Sequence, residues 1–174
     1  MAPALEVDRR LATVEFTDIV DSTPAAAVAG DRAWSDLLDR HDSVAAAIIA
    51  AHEGRLVKST GDGLLIAFDG PSRAVGCAAA LHVAMTELGL PTRAGLHAGE
   101  IKSRGDDIAG MAVHIAARIS ALASTGQTVV TRTVRDLVVG SGFDFLDRGE
   151  HELKGVAEPW QCYELEPMSP MPVS

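Results

Sequence analysis

The sequence predicts an α+β or α/β sandwich in which helices pack on a sheet. Three observations point there. Segments with strand and helix periodicity alternate along the chain as strand, helix, hairpin, helix, strand, helix, strand, helix and closing strands, with no internal repeat. The 174 residues are 47% hydrophobic and 22% charged, which suits one globular domain and excludes disordered, collagen-like and coiled-coil chains. Aromatic residues make up only 4%, so alanine and aliphatic side chains must fill the core, a composition that lets helices approach strands closely.

Each element has its own signal. LATVEF alternates apolar and polar positions up to Asp18, as a half-buried strand ending in an acidic loop does. From Thr23-Pro24, the residues Val28, Trp34, Leu37, Leu38, Val44, Ile48 and Ile49 recur at helical spacing and predict one long amphipathic helix that stops at Glu53-Gly54. RLVKST and LLIAF flank Gly61-Asp62-Gly63, the pattern of a hairpin with Asp62 at its tip. Pro71 opens a helix that Gly89 and Pro91 close. TRAGLHAGEI reads as a strand and SRGDD as a polar loop; Val113, Ile115, Ile119 and Leu122 then place a helix over Ile108 to Ala123. QTVVTR is expected as a strand, Val134 to Val139 as a short helix, FDFLDRGEHELKG as a hairpin and WQCYELE as the last strand. The expected organisation is a lead over residues 1–9, a folded domain over 10–166 and a frayed tail over 167–174.

Composition narrows the partners. A net charge of −9 and a pI of about 5.0 argue against a nucleic-acid surface, which needs cationic groups against phosphates. No apolar run reaches the roughly 20 residues of a membrane span, and MAPALEVDRR lacks a signal-peptide core, so a cytoplasmic protein without a membrane partner is expected. Cys77 and Cys162 form no CxxC pair and read as buried apolar residues. His41, His52, His82, His97 and His151 show no zinc spacing and read as packing or surface residues. Glycines 61, 63, 95, 99 and 110 fit turns and close backbone approaches, since neither GxGxxG after a strand nor GxxxxGK[ST] is present.

Asp18 and Asp62 each stand at the end of a strand of the same sheet, where two hard oxygen ligands can converge on Mg²⁺ or Mn²⁺. Taken singly, each equally fits a turn cap. By spacing alone, Lys58 is also compatible with a solvated strand charge, Arg118 with a helix surface, and His114 with a structural histidine between Val113 and Ile115.

Five strings in order carry more: FTDIVDST, VKSTGDGLLIAF, TRAGLHAGEI, GDDIAGMAVHIAARISALA and GEHELKGVAEPW. Together, over about residues 10–165, they resemble the class III nucleotidyl cyclase catalytic domain, particularly actinobacterial members with compact dimer arms. The resemblance implies a ferredoxin-like βαββαβ core sheet with helices packed on one face, plus C-terminal extra strands and a helix. It implies an adenylyl cyclase that converts ATP to 3′,5′-cyclic AMP and pyrophosphate with two Mg²⁺ or Mn²⁺ per site. Asp18, Asp62 and the Ile19 carbonyl match the metal ligands, Lys58 and Asp107 the purine-recognising pair, and Arg93 and Lys154 the triphosphate contacts. Arg118 matches the arginine that stabilises the transition state; His114 stands where its partner is normally asparagine.

The chemistry agrees with these roles. Lys58 can only donate and ionised Asp107 can only accept, which complements N1 and the 6-amino group of adenine and opposes the pattern of guanine. Cyclisation needs positioning and charge more than covalent work by side chains, and a loss such as that of Arg118 typically costs ~10²–10³ in rate. A histidine at position 114 can donate as an amide does, with a charge that changes between about pH 5 and 8. The resemblance also implies a homodimer whose sites take Asp18, Asp62 and Arg93 from one chain and Lys58, Asp107, His114, Arg118 and Lys154 from the other. A regulatory domain in a longer natural chain is expected. A guanylyl or dual-specificity cyclase and a silent nucleotide-binding module are the other readings.

Overall fold

The computed structural model describes residues 8–167, so the expected tail from 168 and the first seven residues of the lead lie outside the described residues. β1 (Asp8–Ile19) already takes in the last residues of that lead. After it come α1 (Ser22–Ala29) and α2 (Asp31–Ala51), the hairpin β2 (Arg55–Ser59) and β3 (Gly63–Phe68), then α3 (Pro71–Glu87) and β4 (Thr92–Arg104). The chain continues through β5 (Asp107–Ala109), α4 (Met111–Leu122), β6 (Thr128–Thr131), α5 (Arg132–Leu137), β7 (Phe145–His151) and β8 (Trp160–Leu165). The strands form one sheet in the order β2-β3-β1-β4-β6-β8-β7, with β5 folded back on β4. Its β2-β3-β1-β4 half is antiparallel throughout, the ferredoxin-like arrangement, and β6 joins β4 in parallel.

The α+β class stands: the core helices α2 and α3 pack on one face of the sheet, and α4, which follows the βαββαβ core, covers the other. Alternate residues of β3 and β4, such as Leu64, Ile66, Leu96 and Ala98, pack under α2, α3 and α5. Leu65 and Ala67, with Val14 and Ile101, pack instead under Ala112 and Ala116 of α4 on the opposite face. The continuous apolar run of β3, buried at every position, is the sequence mark of a strand covered on both sides. The low aromatic content is explained at the same place: a Cβ on Gly95 would lie 2.2 Å from the backbone nitrogen of Ser120, so α4 rests directly on β4.

Three expectations are corrected. The single helix from Thr23 is two, because Gly30 adopts φ +86° and ψ 159°, a conformation reserved for glycine, and Val28 upstream is exposed. SRGDD is the turn of a β4–β5 hairpin, not a polar loop. FDFLDRGEHELKG is not a hairpin in itself: Phe145–His151 is one strand, whose partner is β8, and Arg148-Gly149 lies at a register shift where a turn was expected. Both cysteines are buried and free. Among the described residues no helix is long and apolar enough to cross a membrane.

Candidate active site

The residues singled out in the sequence gather at the two ends of α4. At its C-terminal end, β1 finishes between β3 and β4, which sets Asp18 opposite Gly63 on one side and Arg93 on the other. The Ile19 N–H donates to the Asp62 carbonyl at 2.9 Å, tying the tip of the β2–β3 hairpin to the end of β1. Ile19 itself is buried. Asp18 and Asp62 thereby share a cleft of about 240 Å³ with Thr60, Arg93 and Ser120. Gly63 makes this approach possible, since a Cβ there would come within 2.8 Å of Thr60 Oγ1 and 2.9 Å of the Thr17 carbonyl.

One of the two carboxylates in this cleft is already paired. Arg93 grips Asp18 with a two-pronged contact, Nε to Oδ1 at 2.8 Å and Nη2 to Oδ2 at 3.1 Å. That hydrogen bonding holds the guanidinium pKa above its ordinary value. Its Nη1 also donates to the carbonyls of Ala121 and Ala123 at 3.4 Å, meeting the negative end of α4. Asp62 Oδ2 accepts from Ser22 Oγ at 2.6 Å. Ser22 reaches it because Asp21 turns the chain with φ +54°, a left-handed conformation that aspartate tolerates better than most residues. Ser22 escaped the sequence reading, although the DST string after Asp18 contained it.

At the other end of α4, Lys58 of β2 faces Asp107 of β5, with Nζ 3.3 and 3.4 Å from the two carboxylate oxygens. Asp107 Oδ1 also accepts the Ile108 N–H at 2.8 Å. That backbone bond, and then Lys58, holds the carboxyl below the usual range. Both side chains are about half exposed and thus open to a ligand. His114, in the first turn of α4, donates from Nε2 to the Lys154 carbonyl at 2.8 Å, and Arg118 follows one turn later on the same helix face. α4 is about 18 Å long at 1.5 Å per residue; the Asp18–Asp62–Arg93 cleft lies against its last turns, and Asp107 of β5 comes just before its first.

Residues 8–167 match the family described as the adenylate and guanylate cyclase catalytic domain. The chain belongs to this family. It is 32% identical over 170 residues to the provisionally named adenylate cyclase 3 of Rhizobium meliloti, covering 92% of this chain and 29% of that protein. It is 35% identical over 123 residues to the adenylate cyclase of Glutamicibacter nicotianae, covering 70% of this chain and 30% of the relative. The chain thus spans about a third of the length of these curated relatives. The adenylyl cyclase CyaB from P. aeruginosa superposes with a TM-score of 0.88 at 23% identity, over 98% of this chain and all of that one. At that identity the likeness is one of fold.

The donor set of this cyclase domain suits a hard divalent cation. Asp18 and Asp62 offer only carboxylate oxygens and converge on one cleft, where Arg93 offsets the charge of Asp18 and none of the described ion pairs includes Asp62. The remaining histidines hold to packing roles: His97 is buried, bonded to Thr131 Oγ1 at 2.8 Å and edge-on to Trp160, and burial lowers its pKa to about 4. No group of three or more metal-ligating His, Cys, Asp or Glu side chains occurs among the described residues.

Proposed function

We propose that this domain is an adenylyl cyclase that forms 3′,5′-cyclic AMP and pyrophosphate from ATP. The observation that carries the reading is the Lys58–Asp107 pair, one donor and one acceptor held side by side at the rim. Adenine offers N1 as acceptor and its 6-amino group as donor, so each partner can exchange its bond to the other for one to the base. Guanine would set donor against donor and acceptor against acceptor.

Asp18 and Asp62, with the Ile19 carbonyl, would hold two Mg²⁺ or Mn²⁺. Bound there, such ions lower the pKa of the ribose 3′-hydroxyl and neutralise the phosphates. Arg93 and Lys154 bind the triphosphate, which requires Arg93 to relax its grip on Asp18. Arg118 meets the charge that develops around the α-phosphorus as the 3′-oxygen bond forms and the bond to pyrophosphate breaks. As the family resemblance implies, a complete site takes Asp18, Asp62 and Arg93 from one chain and Lys58, Asp107, His114, Arg118 and Lys154 from the other, and the working unit is a homodimer.

The deciding experiment is cyclic nucleotide production by the purified domain, with ATP or GTP and with Mg²⁺ or Mn²⁺, over a range of protein concentration. Cyclic AMP whose specific rate rises with protein concentration supports the proposal. Preference for GTP would overturn the base assignment, and bound ATP with no product would overturn catalysis.

A further inference from the structure

We propose that His114 is a positioning residue: it fixes the backbone of Lys154 and thereby aims the triphosphate lysine, without touching the reacting atoms. This deepens the cyclase reading and rests on it. The Val156 N–H donates to the Leu153 carbonyl at 3.0 Å, closing a tight turn with Lys154 and Gly155 at its two central positions. Gly155 has φ +83° and Lys154 is not among the positive-φ residues, which makes this a type II turn. The Lys154 carbonyl has no partner within such a turn, and His114 Nε2 meets it at 2.8 Å. A carbonyl oxygen only accepts, so Nε2 carries the hydrogen.

The turn has a second anchor on the same helix. Leu153 is buried in a cluster with Ile115 and Ile119 of α4. The imidazole also presses its Nε2 edge against the turn, for a Cβ on Gly155 would fall 2.9 Å from Nε2. Lys154 itself projects from an exposed position on a flexible four-carbon stem, so only its backbone can set where the ammonium starts. Arg118 stands four residues after His114 on that helix, so the histidine couples the origin of Lys154 to the arginine expected at the α-phosphorus.

The test combines His114→Ala, His114→Gln, Gly155→Ala and Lys154→Ala with two readouts besides turnover. One is equilibrium binding of tripolyphosphate and of 3′-deoxy-ATP, which lacks the attacking hydroxyl. The other is the imidazole ¹⁵N spectrum of His114. His114→Ala is expected to weaken both ligands about tenfold while changing kcat less than about threefold. His114→Gln, whose amide still donates, should recover most of the loss. Gly155→Ala should imitate His114→Ala, and in a Lys154→Ala background the histidine substitution should add less than about twofold. The neutral ring should show a protonated Nε2 and a bare Nδ1. A fall in kcat at unchanged ligand binding, full multiplication of the His114 and Lys154 effects, or a bare Nε2 would overturn the proposal. A wild-type domain that binds tripolyphosphate through this pair yet makes no cyclic nucleotide sinks the cyclase reading and leaves the positioning role standing. A domain that turns over ATP but whose binding of both ligands is indifferent to His114 does the reverse.

Discussion

Glu15 sits three residues before Asp18 on β1, between Ile66 and Leu96 in register, and is fully buried with both carboxylate oxygens unpartnered. Burial pushes its pKa up to about 8. The folded chain therefore keeps a proton that the unfolded chain releases above about 4.5. The sign follows: stability is full below about pH 4.5 and drains as pH rises to about 8, with about 3 kcal/mol lost by pH 7. Glu15→Met should be the more stable protein near pH 8 and should remove most of that slope, as urea midpoints at about pH 5 and pH 8 will show. At the proposed purine pair, the Lys58→Ala/Asp107→Ala double variant should lose about 10²-fold in kcat/KM for ATP and bring the ATP-to-GTP ratio close to one. Steady-state rates with both nucleotides check this. The aspartates and the lysine were legible in the sequence because a motif fixes residue type and order. That Arg93 embraces Asp18, and that Ser22 caps Asp62, were not, since both contacts are made by tertiary placement.

At the scale of elements, α4 is the part on which the site depends. It carries His114 and Arg118, receives Arg93 at its C-terminal carbonyls, and lies on β4 with no room between them. Gly95→Ala should therefore destabilise the domain by about 2–4 kcal/mol, because the added methyl meets helix backbone and not a flexible side chain. Equilibrium urea unfolding measures the loss, and unchanged stability would show that α4 can slide. Helix and strand types were readable from periodicity, and their ends less so. The break at Gly30 was masked because apolar residues on both sides keep helical spacing, and the shift at Gly149 was masked because an Arg-Gly pair serves a bulge as well as a turn.

At the scale of the molecule, the proposed division of the site between chains gives a quantitative expectation. Asp18→Ala and Arg118→Ala should each be inactive alone, whereas an equimolar mixture that exchanges subunits should recover roughly a quarter of wild-type activity. Half its dimers are mixed, and each mixed dimer has one intact site of two. A mixture that exchanges subunits and stays inactive would show that one chain builds its own site. By itself, the sequence determined the alternation of elements, the class of the fold, the family and the identity of the charged residues, because periodicity and ordered motifs are local properties of the chain. Only the tertiary structure decided that α4 covers the face opposite α2 and α3, that the charged residues divide between its two ends, and that His114 holds Lys154 by its carbonyl. Such facts depend on contacts between residues far apart in the chain, 75 positions for Arg93 with Asp18, and no local pattern encodes which distant partner a side chain meets once the chain closes on itself.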